Sequence, residues 1–163
     1  MPSLDVVSIV DMQALDNAIN NVKREVTTRF DFKNVTTEIT LNRKEKWIHI
    51  ASGDDWKVKE VVDMLIGQLT RFGVSRKCLD VGKIENASQS SVRLEIRLKE
   101  GVPREICQRI VVYIKSLKMK VQPVIQEDRV RITGKQIDDL QEIMRLLTAQ
   151  DYEVPLQFVN MKN

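Results

Sequence analysis

The chain has few of the residues that build metal and catalytic centres. It contains one histidine, His49, and two cysteines, Cys78 and Cys107, which do not form a CxxC pair. A metal site needs several such ligands close together, so the sequence predicts no metal and no cofactor. Both cysteines are expected to be reduced core residues.

Long apolar stretches are also missing. No segment approaches the ~20 apolar residues of a membrane span, and the first residues lack the basic and apolar regions of a signal peptide. Hydrophobic residues make up 42% and charged residues 30% of the chain, which is typical of a soluble globular protein. We therefore expect a cytoplasmic protein that does not bind membranes.

Basic residues are concentrated in one part of the chain. The net charge is only +3, but residues 102–135 contain eight Lys or Arg and three Asp or Glu. Lys118, Lys120, Arg131 and Lys135 surround one predicted strand pair and the turn residue Gly134, with no matching catalytic acid, histidine or nucleophile. This pattern predicts a protein that binds an anion without transforming it.

The first half of the chain alternates between two hydrophobic periods. A short strand over 4–10 precedes Asp11, a predicted N-cap, and a helix with the apolar stripe Leu15, Ile19, Val22, Val26 and Phe30. A hairpin over 35–41 and 48–50 has one buried face. A second helix begins at Asp54 or Asp55 and stops at Phe72 and Gly73, before a weak strand over 79–84 and a loop over 85–90.

The same order recurs in the second half. A strand over 92–98 is followed by Pro103, suited to a first helical position, and by a helix with the stripe Ile106, Ile110, Ile114 and Leu117. A hairpin over 121–126 and 129–133, a helix over 137–147 and a strand over 156–159 complete the repeat. Two βαββαβ units predict an α+β fold of two ferredoxin-like domains, with antiparallel sheets and helices on one face.

Several motifs resemble those of the YajQ family of bacterial proteins. The segments that carry this resemblance span nearly the whole chain: Met1-Pro2-Ser3, Asp5, Val7-Ser8, Asp11, Gln13, Asn17-Ala18, Asn21, Arg24-Glu25-Val26, Arg29-Phe30-Asp31-Phe32, Asn34-Val35, Ile114-Lys115, Lys118, Lys120-Val121-Gln122, Thr133-Gly134-Lys135, Asp138-Asp139-Leu140-Gln141, Gln157-Phe158 and Asn160. Residues 82–91, Trp47 and His49 depart from the family pattern.

The resemblance implies more than periodicity can show. The first strands of the two domains would be exchanged, so that domain 1 comprises 11–101, with strand 91–99 contributed from the second repeat, and domain 2 comprises 1–10 plus 102–163. It also implies a cytosolic nucleotide-binding role. Cyclic di-GMP is a ligand of some members, and RNA or mononucleotides are suggested for others.

A glycine turn at a predicted helix start is the first candidate phosphate site. Gly134 and Lys135 do not form a Walker A loop, because Arg129 stands where a glycine is needed and Gln136 where Ser or Thr is needed. A looser site remains, in which backbone N–H groups and Lys135 hold a phosphate. The alternative is a plain turn with a solvated lysine.

Three further cations extend this candidate site. Lys115 and Lys118 lie near the end of the third helix, where cations favourably face the helix dipole even without a ligand. Arg131 is expected on the outer face of its strand, opposite the buried Val130 and Ile132. A planar guanidinium there suits a phosphate or a guanine edge.

Secondary contacts are expected near the end of the first helix, from Arg24, Arg29 and Phe32. Phe30 continues the core stripe, whereas Phe32 either packs at the helix–sheet junction or offers its ring to a base. Arg29 can simply pair with Asp31. Trp47 and His49 face away from the first core, where packing between domains is favoured over base stacking.

Together with these residues, the family resemblance implies a regulatory nucleotide-binding protein, with cyclic di-GMP, a mononucleotide or RNA as partner and no catalytic turnover. One alternative is a protein-interaction module that acts on a transcription factor or an RNA complex. A nucleotide-processing enzyme is a weaker alternative, because Asp138 and Asp139, as neighbours on a helix, point about 100° apart and are poorly placed to share Mg²⁺.

Overall fold

The structure is a computed structural model that describes residues 1–163. In chain order its elements are β1 (Ser3–Val7), α1 (Met12–Thr28), a 3₁₀ helix (Phe30–Phe32), β2 (Glu38–Asn42), β3 (Trp47–Ser52), α2 (Asp55–Arg71), a 3₁₀ helix (Arg76–Cys78), β4 (Leu79–Val81), β5 (Glu85–Asn86), β6 (Val92–Leu98), α3 (Arg104–Ser116), β7 (Val121–Gln126), β8 (Arg129–Gly134), α4 (Ile137–Ala149) and β9 (Gln157–Lys162). The predicted α+β fold is confirmed.

Helices α1 and α2 begin where the sequence provides caps. The carboxylate of Asp11 accepts from Ala14 N at 3.0 Å, and that of Asp54 accepts from Lys57 N at 2.9 Å. Each cap satisfies a first-turn N–H that has no partner inside the helix. Gly73 follows α2 at a φ of +74°, a conformation that favours glycine and ends the helix.

One four-stranded antiparallel sheet has the order β7-β8-β1-β9. Leu4 and Val6 of β1 pair with Ile132 and Val130 of β8, and all four are almost fully buried. They share a core with apolar residues of both C-terminal helices, Ile106, Ile110, Ile114, Leu140, Ile143 and Leu147. The helices therefore cover one face, while Asp5 and Arg131 belong to the other.

The second sheet has the order β2-β3-β6-β4, and the short β5 also pairs with β6. Ile48, Ile50, Leu94 and Ile96 are buried on its inner face. Their core includes α1 and α2 residues Leu15, Ile19, Val22, Val58, Val61, Leu65 and Leu69. Residues 85 and 86, predicted as loop, instead form β5, because they hydrogen-bond to β6 across a tight connection.

Strand β1 therefore pairs with β8 and β9, and β6 pairs with β3 and β4. The chain divides into two compact units, Met1–Ile9 with Glu100–Asn163, and Val10–Lys99. We propose that these units are the two domains that the family resemblance implies, at 11–101 and at 1–10 with 102–163.

No helix of the structure combines the length and the apolar character needed to cross a membrane.

Candidate functional site

The seven predicted site residues fall into both compact units. Lys115, Lys118, Arg131 and Lys135 belong to the unit formed by Met1–Ile9 and Glu100–Asn163, and Arg24, Arg29 and Phe32 belong to Val10–Lys99. Each group is therefore described as a separate surface.

Four lysines lie at one end of the sheet β7-β8-β1-β9, and we call Lys115, Lys118, Lys120 and Lys135 the lysine end. Val121, the first residue of β7, pairs with Gly134, the last residue of β8. A methyl group added to Gly134 would lie 3.3 Å from the carbonyl oxygen of Lys120, so the two backbones touch. Lys120, just before β7, and Lys135, just after β8, therefore lie side by side.

The turn between α3 and β7 brings the other two lysines to this end. Lys118 has a φ of +55° and donates its backbone N–H to the carbonyl of Lys115 at 3.3 Å. All four lysines are exposed, and none of their ammonium groups makes an ion pair or a hydrogen bond. Their charges are therefore available to an anion from solution. Lys120 was part of the basic stretch in the sequence but was not predicted as a site residue.

Helix α4 begins next to Lys135 without a side-chain cap. Gln136 occupies the N-cap position, but its side chain accepts no hydrogen bond from the first turn. Free N–H groups and the positive end of the helix dipole favour an anion at this place. Asp138 and Asp139 in the first turn partly satisfy the same dipole. The lysines therefore supply the additional positive charge that a phosphate needs in order to bind beside these carboxylates.

Arg131 lies on the outer face as predicted, but its guanidinium is not free. Its Nε donates to Asp5 Oδ1 at 2.8 Å, and its Nη2 donates to Asp5 Oδ2 at 3.2 Å. Arg129 Nη1 and Asn160 Nδ2 donate to the same carboxylate at 3.2 and 2.9 Å. Nη1 and the second N–H of Nη2 make no hydrogen bond, and these donors of Arg131 are left for a ligand.

The carboxylate of Asp5 explains this arrangement. Its side chain is 1% exposed, and a buried charge is costly unless it is paired and hydrogen-bonded. The hydrogen bonds from Arg131 are the main cause that lowers the pKa of Asp5 from 3.8 to about 2, against the opposing effect of burial. Arg131 thus has a structural role in this sheet, which the sequence prediction of a free outer-face arginine did not include.

Arg29 is also held by carboxylates. Its Nε and Nη2 donate to Asp31 at 3.1 and 2.6 Å, and its Nη1 donates to Glu60 at 3.2 Å. The hydrogen bond to Asp31 is the first cause that raises the pKa of Arg29. Arg24 is exposed and donates to the side-chain amide of Asn21. Of the two arginines, Arg24 is therefore the one more accessible to a ligand.

Of the two phenylalanines that follow the first helix, only Phe32 is buried. Phe30 was predicted in the core but is 85% exposed, whereas Phe32 is 4% exposed and belongs to the first core. The reason is that α1 ends at Thr28, so its period no longer applies when the chain enters the 3₁₀ helix. Arg29 also lies over the Phe32 ring, 5.4 Å from its centre. The packing alternative holds for Phe32, whose ring has no free face for a base.

The open face of the sheet β2-β3-β6-β4 carries a hollow of about 540 Å³. Its lining includes Glu38, His49, Ala51, Arg93 and Glu95. His49 and Trp47 lie on this face as predicted. The hollow was not predicted, because its shape depends on which residues of separate strands become neighbours. Packing of this face between domains stays a prediction.

The rings on this face are held in place. His49 stacks on Trp47 with the ring centres 3.6 Å apart and an interplanar angle of 14°. His49 Nε2 lies 2.8 Å from Glu95 Oε1, and this hydrogen bond is the first cause that lowers the pKa of Glu95. The His49 ring, stacked on Trp47, therefore forms a preformed wall of the hollow.

Comparison with known proteins gives a family for this fold. The family model described as "Nucleotide-binding protein YajQ-like" matches residues 2–162. A nucleotide-binding protein of Dehalococcoides mccartyi is 53% identical over 162 residues, covering 99% of each chain. A nucleotide-binding protein of Cytophaga hutchinsonii is 44% identical over 162 residues, covering 99% of this chain and all of the relative. The chain therefore belongs to the YajQ-like family of nucleotide-binding proteins.

Proposed function

We propose that this chain binds nucleotides or RNA through their phosphates at the lysine end. The observation that carries the proposal is the group of exposed, unpaired lysines beside the uncapped start of α4. The printed names of the relatives, which are nucleotide-binding proteins, support the same ligand class. Lysine ammonium groups and helix N–H groups both donate to phosphate oxygens.

The predicted site residues have unequal parts in this proposal. Lys118, Lys120 and Lys135 make the main contacts, and Lys115 adds charge from the last turn of α3. Arg131 contributes only through Nη1 and the second N–H of Nη2, because Asp5 holds its other two N–H groups. Arg24, Arg29 and Phe32 are secondary, and the last two are restricted by their ion pairs and burial.

The ligand within this class is a cyclic dinucleotide such as cyclic di-GMP, a mononucleotide or RNA. We propose a regulatory role in the cytoplasm, in which the bound state is recognised by a transcription factor or an RNA complex. The salt dependence of the binding affinity distinguishes these ligands. An RNA strand that contacts several lysines releases several counterions, whereas a dinucleotide has only two phosphates and depends more on its bases.

Calorimetry at two salt concentrations tests the proposal. Lys118→Ala and Lys135→Ala should each weaken binding of the preferred ligand about fivefold to tenfold. For single-stranded RNA, each substitution should also reduce the slope of log affinity against log salt by about 0.7. Lys59→Ala, an exposed lysine on α2, serves as the matched control. Equal affinity and equal slope for all variants would place the phosphate site elsewhere.

Turnover is tested separately, because the proposal is for binding without chemical change of the ligand. ATP, GTP, cyclic di-GMP and RNA should each remain chemically unchanged after incubation with the protein, with and without Mg²⁺. Chromatography or mass spectrometry of the nucleotide is the measurement. A hydrolysis rate that disappears in Asp138→Asn or His49→Ala would show that the protein is an enzyme.

A further inference from the structure

Two small residues, Ala51 and Gly82, line the hollow on the open face of the sheet β2-β3-β6-β4. Ala51 lies between Glu38 and Arg93 in one cross-strand row, so a methyl group separates two long charged side chains. Gly82 borders the same hollow and donates its N–H to the Glu95 carbonyl at 2.9 Å. A methyl group on Gly82 would lie 2.8 Å from that oxygen, so this close approach requires glycine.

The two charged side chains beside Ala51 are available to a ligand. Glu38 is exposed and makes no ion pair or hydrogen bond. Arg93 has one partner, Glu85 at 3.6 Å, and both side chains are about two-thirds exposed, at 66% and 65%. Such an exposed pair contributes little and is easily exchanged for a ligand.

The size of the row suits a planar ring. Glu38 and Arg93 lie on strands separated by β3, so their backbones are about 10 Å apart. A nucleobase can lie over the Ala51 methyl group between them and reach both side chains with its edges. The fixed His49 ring, in the neighbouring row, closes one side of this space.

We propose that this hollow binds a nucleobase whose edge carries both an amino donor and a carbonyl acceptor, as in guanine and cytosine. Glu38 accepts from the amino group, and Arg93 donates to the carbonyl oxygen. Adenine has no carbonyl group for Arg93. In uracil the only N–H donor on this edge lies between two carbonyl oxygens. One of these oxygens would therefore face the Glu38 carboxylate.

This site rests on the proposed nucleotide binding for its ligand class, but it does not use the lysine end. It selects the base, whereas the lysine end holds phosphate. Nucleosides, which carry no phosphate, therefore test the hollow alone, and inorganic triphosphate tests the lysine end alone.

The experiment titrates the ¹⁵N-labelled full-length protein with guanosine, cytidine, adenosine and uridine and follows the backbone amide signals. Guanosine or cytidine should shift signals of β3 and β6, including that of Ala51, and adenosine and uridine should bind at least about tenfold more weakly. The comparison of guanosine with cytidine decides which of the two bases is preferred. Equal binding of all four nucleosides, or no shifts on these strands, overturns the proposal.

Three variants locate the contacts. Glu38→Ala and Arg93→Ala should each weaken nucleoside binding about tenfold, while the exposed controls Glu25→Ala and Arg71→Ala leave it unchanged. Ala51→Leu should abolish binding by filling the hollow, and its circular dichroism and melting temperature show whether the sheet remains folded. Binding that survives Ala51→Leu in a folded protein overturns the proposal.

Triphosphate separates this proposal from the proposed function. If triphosphate binds and Lys135→Ala weakens it, while no nucleoside binds, the hollow is not a base site and the lysine end remains a phosphate site. If nucleosides bind as expected and triphosphate does not bind, the base site stands and the lysine end fails.

Discussion

Replacing Asp5 by asparagine tests whether a buried ion pair stabilises the sheet β7-β8-β1-β9. Asparagine keeps the shape of the side chain but removes the charge that Arg129 and Arg131 neutralise. The carboxylate is 1% exposed and accepts four hydrogen bonds, two of them from Arg131. Removal of the carboxylate should therefore lower the free energy of unfolding by an amount that depends on pH.

The size of this effect follows from the pKa of Asp5. The pKa falls from 3.8 to about 2 on folding. At about 1.4 kcal/mol for each pKa unit, the ionised carboxylate contributes about 2 kcal/mol after allowance for its solvent-exposed arginine partners. Because the folded pKa is the lower one, this contribution is complete above about pH 5 and is lost as the pH falls towards 2.

The assay is urea unfolding at several pH values between 3 and 7. The free energy of unfolding of the parent protein should fall more steeply than that of Asp5→Asn, by about 1 kcal/mol between pH 5 and pH 3. Arg131→Ala should remove much of this pH dependence, because it removes the principal donor to Asp5. Arg97→Ala is the matched control, since Arg97 also lies on an outer strand face but pairs with the 42% exposed Glu95.

Equal pH dependence of Asp5→Asn and the parent protein would show that the charge of Asp5 does not stabilise the folded state. The same variants also separate structure from binding. If Arg131→Ala lowers stability but leaves nucleotide affinity unchanged, Arg131 acts only through Asp5 and does not contact phosphate.

Two other predictions concern the cores of the two units. Phe32→Ala should lower the free energy of unfolding by about 3 kcal/mol in urea titrations, because Phe32 is buried. Phe30→Ala should change it by less than about 0.5 kcal/mol, because Phe30 is exposed. Equal effects of the two substitutions would contradict the placement of Phe32 in the core and Phe30 on the surface. Deleting residues 1–10 removes β1 from between β8 and β9. Hydrogen exchange should then show loss of protection first in 121–134, and a loss confined to 35–69 would disprove the pairing.

Local sequence patterns were sufficient to predict most of the secondary structure. The caps Asp11 and Asp54, the stop at Gly73 and the apolar stripes of the helices all depend on residues within a few positions of each other. Such interactions form in any context that buries one face of the element, and so they can be derived from one sequence. The exchange of β1 and β6 followed from the family resemblance, because periodicity does not specify which strands pair.

The basic character of the lysine end was also determined by the sequence, since Lys115, Lys118 and Lys135 are exposed around short turns. The sequence does not show, however, that these lysines form no ion pairs. Arg131 has the same predicted exposure, yet a carboxylate 126 positions away in the sequence holds it. The same limit applies to Phe30, which was predicted to be buried. Because α1 ends two residues before its apolar stripe does, Phe30 is exposed and Phe32 packs in the core instead.

The shape of the hollow over Ala51 depends on how the strands pair in the folded protein. Glu38, Ala51 and Arg93 belong to three strands, and each pattern by itself shows only that these residues face outward. The register of the strands makes them neighbours and places a small residue between two opposite charges. Local periodicity can assign a side chain to a face, but a binding surface depends on partners that are distant in sequence, and those partners are chosen by the packing of the whole sheet.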